Sequence, residues 1–178
     1  MSTVNVKDAL ELIREVPDFP KPGILFQDIT PLLSHSEAFA LVIDQMATAG
    51  QGFDSVAGME ARGFIFASAI ANRTSKGFIP IRKSGKLPHD TYSESYGLEY
   101  GVDTLEIHKD ACTSASTVLI VDDVLATGGT ACAAIRLIEK TGANVTAIAF
   151  LIEISALNGR AKIQENFSSV QITSLKII

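Results

Sequence analysis

Cysteine is scarce in this chain. Its two cysteines, Cys112 and Cys132, cannot build a disulfide framework, and their spacing matches no metal-binding pattern. No apolar run approaches the ~18 residues that a membrane-spanning helix needs. The N-terminal stretch from Met1 to Glu15 is polar and lacks the basic-then-apolar order of a secretion signal. The expected address is therefore the cytoplasm. Positive charge is in deficit, with 15 Lys and Arg against 20 Asp and Glu and a net charge of −5. A nucleic-acid binder usually carries the opposite balance, so neither a nucleic-acid nor a membrane partner is expected. An anionic small molecule remains compatible, because a few well-placed cations set the field inside one cleft. Internal repeats and low-complexity tracts are also missing.

What is present suits one globular domain. The chain has 178 residues, 47% of them hydrophobic, enough to bury a sizeable core. Val6, Ala9, Leu10, Ile13 and Val16 recur at helical spacing, which predicts a first helix stopped by Pro17. Ser34 followed by Glu37 reads as a capping box opening a second helix that carries Phe39, Val42, Ile43 and Met46. Strand and helix then alternate: strand from Asp54 to Gly58, helix from Arg62 to Asn72, strand from Gly77 to Ile81. A buried strand from Val118 to Val121 follows, then a helix from Thr130 to Lys140 and a strand from Val145 to Ile154. This order predicts an α/β fold, a mainly parallel central sheet flanked by helices. The polar stretch from Lys83 to Gly101, with Tyr92, Tyr96 and Tyr100, reads as a long loop or flexible hairpin. A loop of that length inside a compact domain is usually a functional lid.

The chemistry concentrates where the strand at Val118 ends. Asp122 and Asp123 close the strand, and Ala126, Thr127, Gly128, Gly129 and Thr130 lead into a helix. Ligands gather at the carboxyl ends of parallel strands. A Gly/Thr loop at a helix start offers free backbone N–H groups and hydroxyls, which make a phosphate cradle. Adjacent carboxylates would repel a phosphate alone. They fit a ligand that also carries hydroxyls, a divalent metal or developing positive charge, as a phosphorylated ribose does. The string is neither a Walker A loop nor a dinucleotide fingerprint. His35, His89 and His108 show no metal spacing and read as surface or structural histidines.

Val121-Asp-Asp-Val-Leu-Ala-Thr-Gly-Gly-Thr130 resembles the ribose-5-phosphate motif of the type I phosphoribosyltransferases. Four further segments narrow the likeness to the adenine branch of that family. They are Val16 to Ile29, Glu60-Ala-Arg-Gly-Phe64, Ile81-Arg-Lys-Ser-Gly-Lys-Leu-Pro88 and Leu98-Glu-Tyr-Gly101, and the likeness runs in unbroken order from about Val16 to Arg160. The resemblance implies a small N-terminal hood over about 1–33, a lid over about 83–103, and transfer of a phosphoribosyl group from phosphoribosyl pyrophosphate to adenine, giving AMP and pyrophosphate. It implies a homodimer, and magnesium held mainly by substrate and water, with no ligand directly from the protein. Glu60, Ala61, Arg62, Arg82, Lys83 and Lys86 would face the diphosphate, with a cis peptide common somewhere in the loop from Gly58 to Gly63. Asp122 and Asp123 would serve the ribose, and residues 126–130 the 5-phosphate. Glu99 would exchange a proton with the purine, beside Tyr100 on the lid. Leu25, Phe26 and Gln27, with Ile154 opposite, would form the adenine pocket; the family commonly has Arg where this chain has Gln27. Two alternatives stay open. One is the same transfer to hypoxanthine, guanine or xanthine. The other is a regulator that senses phosphoribosyl pyrophosphate on the same fold.

Overall fold

The computed structural model describes residues 5–50, 52–97 and 102–178. The chain divides into two compact units, Met1–Gln45 and Met46–Ile178.

In the first unit, helix α1 (Val6–Glu11) is closed at its start by a capping box between Asn5 and Asp8. It stops well before the expected Val16. Arg14–Pro17 instead forms strand β1, paired antiparallel with β2 (Leu25–Asp28), so that Val16 lies opposite Phe26. Cross-strand pairing here outweighs the helical spacing of Ile13 and Val16. Ser34 does not cap a helix either. It ends the short α2 (Thr30–Ser34), and its hydroxyl donates to the carbonyl of Pro31. The next helix, α3 (Ser36–Ala47), is capped by His35, whose Nδ1 accepts from the Ala38 amide at 3.3 Å.

The second unit is built on a seven-stranded sheet. Its strands are β3 (Ser55–Met59), β4 (Gly77–Lys83), β5 (Thr91–Gly97), β6 (Val102–His108), β7 (Thr117–Leu125), β8 (Asn144–Glu153) and β9 (Gln171–Ile177), in the spatial order β5-β6-β4-β3-β7-β8-β9. From β4 to β9 all neighbours run parallel, while β5 and β6 add an antiparallel hairpin on the β4 edge. Helices α4 (Gly63–Thr74), α5 (Gly129–Lys140) and α6 (Gly159–Asn166) are the crossovers.

Side-chain alternation fixes which helix covers which face. Ala57, Met59 and Ile120 belong to the cluster that packs on α5 through Ala131, Ile135 and Ile138. Gly58, one residue out of phase, faces α4. A side-chain carbon there would stand 2.8 Å from Ala67 Cβ, so glycine is needed for α4 to lie this close. The sheet is thus covered on both sides, which suits strands made of near-continuous apolar runs.

The stretch after Lys83 is largely an ordered hairpin, not a loop. Arg82 pairs with Glu106, and β5 and β6 are in register from Thr91/His108 to Gly97/Val102. Among the elements not anticipated are α6 and the edge strand β9, whose polar and apolar residues show no clear period.

Candidate functional site

The carboxyl ends of β3, β4 and β7 converge, and each delivers part of one cluster. After β3 come Glu60 and Ala61, joined by a cis peptide, then Arg62 at the start of α4. β4 ends in Arg82 and Lys83. β7 carries Asp122 and Asp123 and runs on to Leu125, followed by residues 126–128 and α5. A cavity of about 360 Å³ opens between them, walled by Ala61, Arg62, Tyr96, Asp122, Asp123 and Thr130. A smaller one of about 50 Å³ lies against Thr127, Gly128 and Thr130.

The charges in this cluster are paired across elements. Arg62 Nε lies 2.8 Å from Asp123 Oδ2, and the Asp123 side chain is only 6% exposed. Burial raises the Asp123 carboxyl pKa, and the Arg62 guanidinium works against that. Asp122 is packed beneath Gly63, and its Oδ1 accepts from the Asp123 amide at 2.9 Å. Burial, then the neighbouring Asp123 charge, pushes its pKa well above the ordinary carboxylate value.

Glu60 also lines this cavity, and its carboxylate is held by its neighbours. It holds the Arg82 fork at 3.1 and 3.2 Å and accepts the Lys83 amide at 3.0 Å. These bonds, that from Arg82 foremost, lower its pKa. Arg82 also donates to the Lys86 carbonyl at 3.1 Å, fixing the turn on which Lys86 sits. Arg82 is thus committed to the scaffold, whereas Lys83 reaches out to Asp103 Oδ2 at 3.1 Å.

The hairpin enters the site through Tyr96. Its hydroxyl donates to Asp103 Oδ2 at 3.3 Å and is in hydrogen-bond contact with the Thr130 side chain. Burial, the main influence, raises the Tyr96 pKa, so the group remains a neutral phenol. The tyrosine spacing gave no hint of this position. Asp103 carried no sequence signal at all.

The cradle loop has its own geometry. Gly128 adopts φ +77°, and a side-chain carbon on it would meet the Gly159 carbonyl oxygen at 2.7 Å. Gly159 in turn packs so closely on the loop that a methyl group there would collide with the Ala126 carbonyl. Gly129 is less constrained, its nearest neighbours being Tyr96 and Gly97 at 3.4 Å. Behind the loop, Arg160 Nε donates to Glu153 Oε1 at 2.9 Å, and the same guanidinium reaches the Ile172 carbonyl at 2.9 Å. The segment from Glu153 to Arg160 thus braces the cradle.

Leu25, Phe26 and Gln27 are consecutive on β2 in the first unit. Phe26 meets Phe19 edge-on at 5.1 Å. Gln27 is 4% exposed, and neither polar atom of its carboxamide has a hydrogen-bond partner among the described residues. Ile154 follows β8 in the second unit. Glu99 and Tyr100 lie outside the described residues. Among the described residues no group of three His, Cys, Asp or Glu side chains forms a metal cluster, and no helix is long and apolar enough to cross a membrane.

Residues 27–177 match the phosphoribosyl transferase domain. With the site at the switch between β3 and β7, this places the chain in the phosphoribosyltransferase family. Within that family it belongs with the adenine phosphoribosyltransferases. It is 51% identical over 169 residues to the adenine phosphoribosyltransferase of Gloeobacter violaceus, covering 94% of this chain and 99% of that one. The crystal structure of adenine phosphoribosyltransferase from Thermoanaerobacter pseudethanolicus superposes with a TM-score of 0.91 at 48% identity, over 98% of this chain and 100% of the other. The Saccharomyces cerevisiae enzyme, solved with an iminoaltritol bisphosphate and adenine, gives a TM-score of 0.87 at 36% identity, over 96% and 97%.

Proposed function

We propose that the chain transfers the phosphoribosyl group of phosphoribosyl pyrophosphate to adenine, forming AMP and releasing pyrophosphate, as a glycosyltransferase of purine salvage. One observation carries the mechanism. Arg62, Asp123 and the Thr130 cradle wall a single cavity, with Arg62 and Asp123 2.8 Å apart. Reaction at the anomeric carbon separates charge. The leaving diphosphate gains negative charge while the sugar gains oxocarbenium character. A guanidinium beside a carboxylate matches that polarity, and neither group has to move far to meet its half. Arg62 and the backbone around Ala61 take the diphosphate, because a planar fork matches phosphate oxygens. Lys83 and Lys86 add charge on that side. Glu60 and Arg82 hold the loop that presents them.

Asp122 and Asp123 take the ribose hydroxyls. Residues 126–130 take the 5-phosphate through the first amides of α5 and the hydroxyls of Thr127 and Thr130. Phe26 stacks on the base, and the backbone of Leu25 and Gln27 reads the adenine edge. Phe26 and Gln27 are neighbours on one strand, so their side chains leave opposite faces. A backbone readout therefore tolerates Gln27 where arginine is common. Glu99, beside Tyr100 on the lid, exchanges the purine proton. Among the described residues no ready-made cage for magnesium is formed, and Glu60 and Asp123 are paired with cations. The donor set fits an ion that arrives on the substrate and is held by its oxygens and water. When bound, it offsets the charge of the diphosphate. The whole chain, residues 1–178, acts as one phosphoribosyltransferase domain, as a homodimer in the cytoplasm.

The test is stoichiometry. Adenine added to protein, phosphoribosyl pyrophosphate and magnesium should yield AMP and pyrophosphate one to one. Breakdown of phosphoribosyl pyrophosphate at the same rate without base would make the protein a hydrolase and sink the proposal.

A further inference from the structure

The cradle itself contains no lysine, yet one approaches it from α6. The first turn of α6 is docked on the loop: Gly159 touches Gly128 and Ala126 by backbone, and Arg160 is tied to Glu153 and Ile172. Lys162 stands three residues after Gly159, hence on the same face of the helix. Its ammonium reaches the start of α5. A side-chain carbon built on Gly129 would lie 3.9 Å from Lys162 Nζ. The Lys162 charge also acts on the Cys132 thiol, one turn further along α5 on the Gly129 face.

This placement runs against the usual electrostatics of a helix. The N-terminus of α5 already carries the positive end of the helix dipole and its unbonded N–H groups, so a cation there is unfavourable on its own. The arrangement becomes favourable when an anion lies between them. Among the described residues no carboxylate pairs with Lys162. The anion that the proposed function supplies is the 5-phosphate of the ribose.

We infer that Lys162 is a further substrate-binding residue, a cation from α6 that completes the 5-phosphate cradle. The inference rests on the proposed function, which puts a phosphate monoester in this loop. It adds a contact from outside the recognised motif. A phosphate bound by backbone amides and two hydroxyls receives dipoles only, and Lys162 supplies the full charge. Because the ammonium is on an exposed stem, its contribution is screened by salt.

Calorimetric titrations with ribose 5-phosphate, AMP and pyrophosphate test it, comparing the wild-type protein with Lys162→Gln and Lys162→Arg. Lys162→Gln should weaken ribose 5-phosphate and AMP by about five- to tenfold at low salt, with pyrophosphate unchanged. Lys162→Arg should stay within about twofold of wild type, since it keeps the charge. The gap between wild type and Lys162→Gln should shrink as salt is raised. Unchanged AMP affinity in Lys162→Gln overturns the inference and leaves the proposed function standing. Equal losses for AMP and pyrophosphate also overturn it, because they would mark a structural role. Failure of the wild-type protein to bind either phosphate monoester overturns the proposed function, and this inference with it.

Discussion

Two adjacent carboxyls in a buried strand end cannot both ionise cheaply, and Asp122 bears the larger burden. Its raised pKa means that, between the ordinary carboxylate range and that higher value, the folded protein holds a proton the unfolded chain has lost. The contribution of Asp122 to stability is therefore complete at low pH and declines as pH rises through its folded-state pKa. Asp122→Asn removes the charge and keeps the oxygen that accepts from the Asp123 amide. It should raise the urea midpoint at pH 7, and the gain should fade on acidification below about pH 4. A pH-independent gain would mean that the carboxyl is not titrating as the geometry demands. Arg62 has the opposite relation to stability. Arg62→Ala leaves Asp123 buried without its cation and should cost about 1–3 kcal/mol in chemical denaturation. The same variant should weaken pyrophosphate and phosphoribosyl pyrophosphate but barely touch AMP, which has no diphosphate to lose. Equal weakening of AMP would move Arg62 to the 5-phosphate end of the site.

The loop between β7 and α5 shows what glycine does at the scale of an element. Gly128 and Gly129 look alike in the sequence but stand in different surroundings. Gly128→Ala forces a side chain into left-handed backbone and against Gly159, and should cost about 1–3 kcal/mol and weaken AMP tenfold or more. Gly129→Ala meets only ordinary contacts at 3.4 Å and should keep its stability within ~0.5 kcal/mol. Thermal melts and AMP titrations on both variants distinguish them; matched losses would refute the role given to Gly159. The motif was legible because strand, paired acids, small loop and helix stand in one continuous string. The brace behind it was not, since Gly159 and Lys162 act on residues some thirty positions earlier and only folding brings them there. The hairpin was half legible for a similar reason. Its polar residues look like loop until Arg82 and Lys83 give β6 an edge on which to pair. The N-terminal ribbon was misjudged outright, because Val16 satisfies a helical period and a strand partner equally well, and only Phe26 opposite it decides.

At the scale of the whole molecule, the sheet order places β3 and β7 side by side with their crossovers on opposite faces, and the cavity opens where that reversal occurs. The mainly parallel sheet followed from the alternation of apolar runs and helical spacing; the strand order did not. The choice of base did not, because backbone groups on β2 leave no residue-type signature, and Gln27 departs from the arginine common there without altering them. Base specificity is therefore the most direct measurement of the central claim. Initial rates of nucleotide formation should be compared for adenine, hypoxanthine, guanine and xanthine, with saturating phosphoribosyl pyrophosphate and magnesium. A pocket built for an amino donor rejects the inverted 6-oxo pattern because buried polar groups are left unpaired. kcat/KM for adenine should accordingly exceed the others by ~10⁴ or more. Rates on hypoxanthine or guanine within about tenfold of adenine, the discrimination of a pocket that reads shape alone, would contradict the account.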